Sequence, residues 1–247
     1  WLATVVVSGI SYLSYLLKRY VFHESGTLVS GIIGGLYSST ATISVLARKS
    51  RKASEQEATD YVAAMLLAIS MMFLRFMILI LIFSREIFLS IYPYLLTMAV
   101  VAAIVAWFIH SRQKRSNDQP VEEEEDDSSN PLEFKVALIF AVLFVIFTFL
   151  THYTLVYAGT GGLNLLSFVS GFSDITPFIL NLLQNTGSVA ALIITACSMQ
   201  AIISNIMVNM FYALFFAGKG SKLRPWILGG FGVVIACNLV LLLFFYI

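Results

Sequence analysis

Gly34-Gly35-Leu36-Tyr37-Ser38-Ser39-Thr40-Ala41-Thr42 is a small, hydroxyl-rich break in hydrophobic surroundings. A second break, Ser170-Gly171-Phe172-Ser173-Asp174-Ile175-Thr176-Pro177, follows 136 positions later. Outward from these two stretches the chain reads as membrane helix or as loop joining helices. Of its 247 residues 59% are hydrophobic and 12% charged, with the charges gathered in a few short patches. That is too apolar for an ordinary soluble domain. Uncharged runs of about 18 residues or more mark bilayer-spanning helices. The expected class is therefore all-α: a polytopic helical membrane protein whose main partner is the lipid bilayer.

A net charge of +1 gives no reason to expect nucleic acid as a partner. Cys197 and Cys237 lie in hydrophobic runs without C-x-x-C spacing, and read as buried thiols rather than as disulfide or metal ligands. The chain opens at Trp1 without a charged n-region, so its start does not read as a signal peptide. It is expected to be part of a longer protein.

In order, residues 1–22 read as a span ending at the interfacial Lys18-Arg19-Tyr20. Residues 26–47 contain the first break, at Gly34-Gly35. The basic loop Arg48-Lys49-Ser50-Arg51-Lys52 follows, then spans over 57–83 and 86–109 joined at Ser84-Arg85. Residues 110–130 form a hydrophilic linker, basic first and then acidic through Glu122–Asp127, of disordered composition. Its carboxylates have no fixed geometry for a cation. After Pro131 come a span over 134–158, a turn at Gly159-Thr160-Gly161-Gly162, and the second interrupted segment over 163–184. Spans over 189–217 and 225–247 flank the basic loop 218–224. The expected organisation is a first membrane repeat over 1–109, a linker over 110–131, and a second membrane repeat over 132–247.

The two halves share one order: span, interrupted segment, span, span. At the offset of 136, Gly26 meets Gly162, Gly35 meets Gly171, Thr40 meets Thr176, Ile43 meets Ile179 and Leu46 meets Leu182. An internal duplication is expected. The positive-inside rule then bears on its orientation. If both interrupted segments cross the bilayer, the loop cations divide eight to six between the faces. If both re-enter, they divide thirteen to one, with Arg85 alone opposite. The expectation is an inverted repeat of about three spans plus one broken or re-entrant helix per half. Its linker and basic loops face the cytoplasm.

Backbone freed by a broken helix must be buried in protein or line a polar cavity. Transporters with inverted repeats place their sites where such breaks meet. Ser38 or Ser39 can cap the helix through Thr42, and Asp174 the helix entered at Pro177. Such N-termini favour an anion, whereas hydroxyls and carbonyls nearby suit a small cation. Ser38, Ser39, Thr40, Thr42, Ser173, Asp174 and Thr176 are accordingly candidate binding residues.

Asp174 reads as a cap, as a proton or metal-cation site, or as the partner of Arg75. Arg75, within a span, can pair with Asp174, bind an anion, or snorkel to the interface. Aligning Ala68-Ile69-Ser70 with Ile202-Ile203-Ser204 sets it opposite Asn209. Gln200, Ser204, Asn205 and Asn209 form a polar stripe that can bond neighbouring helices or line a site. His152 reads as a helix-packing residue or a proton carrier. Gly31 with Gly35, and Gly26 with Ser30, are small-xxx-small pairs suited to close helix packing. No phosphate loop, His/Cys metal cluster or H-E-x-x-H occurs, so neither enzyme activity nor a cofactor is expected.

The run Ser30-Gly31-Ile32-Ile33-Gly34-Gly35-Leu36-Tyr37-Ser38-Ser39-Thr40-Ala41-Thr42, followed by Ala47-Arg48, resembles the G-G-L-x-S-S-T-A-T motif of a bacterial and archaeal membrane domain of unknown function. That domain occurs C-terminal to MgtC/SapB-type domains. Val7–Tyr12 and Ser70–Arg75 are also similar to it. In the second half the resemblance covers Gly171, Phe172, Asp174 and Ile175 of a G-L-x-D-V-D-A pattern. Thr176 stands in place of its second aspartate, Pro177 in place of its alanine, and Asn209 where a lysine is frequent. Asp174 thus remains the single acidic candidate for a metal.

The resemblance implies a multi-pass inner-membrane protein associated with magnesium homeostasis. The leading expectation is a small transporter or channel-like protein for an ion or small solute, with a midplane site between the breaks. The alternative is a non-transporting regulator or scaffold of the MgtC type. Self-association as a homo-oligomer is compatible with either.

Overall fold

The computed structural model describes residues 26–51, 53, 55–112, 134–184, 189–218, 221 and 223–246, with positions 5, 7, 9 and 12 upstream. The expected span over 1–22 falls largely outside the described residues, as does the linker beyond Arg112. Val5, Val7, Gly9 and Tyr12 are helical. The described residues hold no strand and seven further helices. These are α1 (Thr27–Lys49), α2 (Glu55–Phe83), α3 (Arg85–Ser111), α4 (Phe134–Ser170), α5 (Ile175–Gln184), α6 (Ala191–Ala217) and α7 (Arg224–Tyr246). Six of the helical stretches are long and apolar enough to cross a membrane, and the protein is a multi-pass membrane protein.

α1 is interrupted at Ser38, inside the expected Gly34–Thr42 break and at one of its two expected caps, three positions beyond the Gly34-Gly35 pair. Ser38 is extended (φ −158°, ψ 108°), and its Oγ accepts the Ala41 N–H at 3.3 Å, capping the second limb. The chain reverses there. A Cβ on Gly34 would fall 2.5 Å from Thr42 Oγ1, whereas residues eight apart in a straight helix stand about 12 Å apart. The two glycines are helical and have a different use: they let the first limb press onto α2. A Cβ on Gly35 would lie 2.5 Å from Ala68 Cα, and one on Gly31 2.8 Å from Ala64 Cα. The expected Gly31/Gly35 packing pair is present, whereas a Cβ on Gly26 would meet nothing within 4 Å.

α2 and α3 form an antiparallel pair turning at Ser84, whose Oγ accepts the Ile87 N–H at 3.3 Å. Ser70 Oγ donates to Ala99 O at 2.8 Å near the middle, and His110 Nδ1 lies 2.7 Å from Asp60 Oδ1 at the far end.

α4 also turns back on itself. Gly159 has φ 58° and ψ −148°, and a Cβ on Gly162 would lie 2.7 Å from Thr154 Cγ2. Of the expected Gly159–Gly162 turn, only Gly159 leaves helical geometry. Such a backbone suits glycine alone, and nothing would touch a Cβ there, so any effect of a substitution is conformational. Gly159→Ala is expected to cost about 1–3 kcal/mol. Gly161→Ala, equally uncrowded and helical, is expected to cost nothing measurable, and thermal unfolding of the two variants in detergent checks the contrast.

After Gly159 a short limb, Gly161–Ser170, runs alongside α6. Ser167 Oγ donates to Gln200 Oε1 at 2.9 Å and Ser204 Oγ to Phe168 O at 2.6 Å. A Cβ on Gly171 would lie 2.7 Å from Asn205 N and press into the Ser204 side chain. Shifted by 136 positions, the Gly35–Ala68 contact becomes the Gly171–Ser204 contact. The chain turns through Gly171–Asp174 into α5, which packs on the first part of α4: Phe178 against Phe147 at 5.6 Å, and Asn181 Nδ2 donating to Thr148 Oγ1 at 2.7 Å.

α2 and α6 are the most enclosed spans, and α4 the least. At one end of the bundle the loop after α1 meets the end of α6. Arg51 donates from Nε to Phe216 O and from Nη2 to Phe215 O, and Arg48 lies 4.3 Å over the Phe216 ring. The Asp60–His110 contact sits at this same end, where α2 begins and α3 finishes. Ser84 and the start of α6 are at the other. His152 is exposed on α4, edge-on to Tyr153 at 5.9 Å, and Cys197 and Cys237 are free thiols.

Candidate functional site

The extended backbone at Ser38 has a direct chemical consequence. In an unbroken helix the Tyr37 carbonyl would accept from the Ala41 N–H, but that N–H is bonded to Ser38 Oγ. Tyr37 O is left for another donor, and Arg75 Nη1 supplies it at 2.8 Å. The same guanidinium places Nη2 3.5 Å from Thr176 Oγ1, in the first turn of α5. One side chain from the C-terminal third of α2 thus reaches the tip of each interrupted segment. Arg75 is buried, its Nε has no partner, and no carboxylate among the described residues bonds its guanidinium.

Asp174 caps α5: its Oδ1 accepts the Thr176 N–H at 2.9 Å. Of the three expectations for Arg75, snorkelling and a direct pair with Asp174 are not present among the described contacts, since the side chain is buried on Tyr37 O and Thr176 Oγ1. The second tip is held from α6. Asn205 Nδ2 donates to Gly171 O at 3.2 Å and to Ser173 O at 3.4 Å. Asn209 Nδ2 donates to Asn205 Oδ1 at 3.1 Å, and Asn209 Oδ1 is buried without a partner. Ser173 stands 136 positions after Tyr37. At each tip, therefore, the carbonyl at the equivalent position takes a side-chain donor from the span that follows.

The candidate residues are not equally accessible. Ser39 and Thr176 are buried, Ser38, Thr40 and Thr42 half-buried, and Ser173 and Asp174 exposed. Thr40 O accepts from Ser44 Oγ at 2.8 Å, and Ser173 Oγ donates to Ser170 O at 3.1 Å. Thr42 packs against Gly34. Arg75 joins Thr176 to the Tyr37–Ser38 turn, whereas Asn205 and Asn209 serve the second tip alone. No group of three or more His, Cys, Asp or Glu side chains that could hold a metal ion occurs among the described residues.

Tyr37 carried no signal in the sequence, because it acts through its main chain. The Ser167–Gln200 and Cys197–Asn164 contacts extend the polar stripe of α6, and only the facing limb shows what that stripe meets.

Over residues 5–217 the chain matches the model of a family described as a domain of unknown function, DUF4010. The chain belongs to the DUF4010 family. A DUF4010 match agrees with the expected membrane domain of unknown function. The association with MgtC/SapB-type domains belongs to the motif resemblance alone. An uncharacterized protein of Aquifex aeolicus (strain VF5) is 25% identical over 224 residues, which are 90% of this chain and 96% of the relative. No solved structure matches the chain.

Proposed function

We propose that this DUF4010 protein is a small transporter or channel-like protein for an ion or small solute, with its site between the two interrupted segments. The observation that carries this reading is the single buried guanidinium that touches both tips. An intramembrane arginine is expensive, and its place at the meeting point of two broken helices points to a functional polar centre. In this reading the two segments are re-entrant hairpins of an inverted repeat, entering from opposite faces, and the protein has no enzymatic role.

Three features support that arrangement: the chain reversal at Ser38, the equivalent Gly35–Ala68 and Gly171–Ser204 contacts, and the Arg51 clasp that sets both basic loops at one end. That end faces the cytoplasm of a cell whose inner membrane holds the protein. α5, at ten residues, rises about 15 Å, or half the roughly 30 Å hydrocarbon core. Its tip then lies near the midplane. The exposed Asp174 carboxylate at that depth requires water, and so marks a wet vestibule.

Two measurements test this. Liposomes holding the protein, screened with inorganic ions and small organic solutes, are expected to show flux. Asn205→Leu, which releases the second tip, is expected to lower it about thirtyfold, from two carbonyl bonds of roughly 1 kcal/mol each. Absence of flux across the screen sinks transport and leaves a regulator or scaffold, whose action would instead depend on linker residues 117–129. In a background lacking Cys197 and Cys237, Lys49→Cys and Ser221→Cys should react with an impermeant thiol reagent from one side. Arg85→Cys should react from the other; labelling of 49 and 221 from opposite sides ends the inverted reading.

A further inference from the structure

We propose that the site between the tips binds a small monovalent anion, held by Arg75 and the first turn of the limb that follows Ser38. This rests on the reading of the tips as a transport site, and names what that site takes.

The donors and acceptors left at the tips set the sign of the ligand. Acceptors at the tips are already engaged: Tyr37 O by Arg75, Gly171 O and Ser173 O by Asn205, Phe168 O by Ser204, and Ser170 O by Ser173. A cation arriving there would have to displace those donors from the carbonyls it needs. Of the buried unpartnered side-chain atoms at the tips, Asn209 Oδ1 is an acceptor held within the second tip, whereas Arg75 Nε is a donor on the one side chain that touches both. Arg75 Nε is the one nitrogen among the buried unpartnered side-chain atoms of the described residues, and Arg75 is only 9% exposed. Its guanidinium is fixed between the tips by Tyr37 O and Thr176 Oγ1 rather than by a carboxylate.

A buried guanidinium without a bonded counter-ion, in a membrane interior, is poised for an anion. The limb over residues 39–49 adds the first-turn N–H groups of Ser39 and Thr40, which an α-helix leaves without an intrahelical partner, and its positive end. α5 contributes less. Its Thr176 N–H is spent on Asp174, and Pro177 has none. Asp174 is then the resident competitor: an exposed carboxylate bonded to the main chain of the same Thr176 whose hydroxyl Arg75 touches. A single guanidinium suits one negative charge, since a divalent anion would enter with its second charge uncompensated.

This makes the consequence of removing Asp174 opposite in sign to that of a cation site. Asparagine caps a helix as well as aspartate does, so Asp174→Asn should fold. The experiment measures chloride and nitrate binding to the purified full chain in detergent by calorimetry. Alongside it, chloride, sodium and potassium flux is measured in liposomes. Asp174→Asn is expected to tighten chloride binding by about two- to tenfold, the effect of removing one like charge that is partly screened by its exposure. Arg75→Gln is expected to weaken it by about ten- to a hundredfold.

Sodium or potassium binding or flux that Asp174→Asn abolishes, with no anion binding, overturns the anion site and leaves the transport reading standing. Chloride binding without flux supports the site and removes transport. If none of these ions binds or moves, the anion site is overturned, and the wider solute screen alone decides whether transport survives.

Discussion

Arg75→Met is expected to lose at least about tenfold of liposome flux, while its unfolding temperature in detergent stays within a few degrees of the parent or rises. Two opposing terms produce this separation. Losing the arginine strands Tyr37 O, which cannot return to the Ala41 N–H held by Ser38 Oγ, at a cost of about 1–3 kcal/mol. It also removes a buried charge that has no carboxylate on it, and whose burial costs several kcal/mol. Methionine fills most of the arginine stem's volume, so little cavity remains. Stability is therefore nearly balanced, while the link between the tips is gone. Arg75→Lys should behave as a partial loss, because one ammonium cannot serve two partners with the fixed geometry of a planar fork. Full flux in Arg75→Met, measured at equal protein density, would remove Arg75 from the site.

Gly35→Ala is expected to destabilise the protein by about 3 kcal/mol, the upper end of what one added methyl costs in a packed interior. The added carbon meets backbone, with Ala68 Cα at 2.5 Å and Ala68 O at 2.7 Å, so no rotamer change makes room. Relief requires the first limb of α1 to lift from α2, which also withdraws Tyr37 from Arg75. Gly171→Ala presses on Ser204 and Asn205 in the other half, and should fail for the same reason. Gly229→Ala is the control: it is helical, nothing would lie within 4 Å of its new Cβ, and alanine favours helix, so it should be neutral or slightly stabilising. Thermal unfolding and size-exclusion profiles of the three variants decide. Equal behaviour of Gly35→Ala and Gly229→Ala would show that the limb does not depend on that close approach.

The Gly31/Gly35 pair was legible from its spacing, and the caps at Ser38 and Asp174 from residue type and position. Which residue of the Gly34–Thr42 break leaves the helix was less so, since two adjacent glycines look like a weaker helix than Tyr37-Ser38. Glycine in a helix interior costs only about 1 kcal/mol, which a close contact with α2 repays. The serine breaks the helix because its own side chain offers the Ala41 N–H an alternative acceptor. The polar stripe on α6 was visible as a stripe. That Ser204 and Asn205 would spend it on the carbonyls of one tip depended on what lies opposite them.

Membrane class, the approximate limits of the described spans and the presence of two broken segments came from the chain by itself. Each rests on local properties: hydrophobic run length, or a cap that reaches no more than three residues. The tertiary structure alone decided that the reversal falls at Ser38 itself and that Arg75 serves both tips, whereas the charge count had already set both basic loops at one end. The guanidinium finds its partners 38 and 101 positions away, and a charge buried in mid-helix carries no local mark of which distant carbonyl will take it. Gly34–Thr42 supplied the turn, and packing against α2 chose its partner.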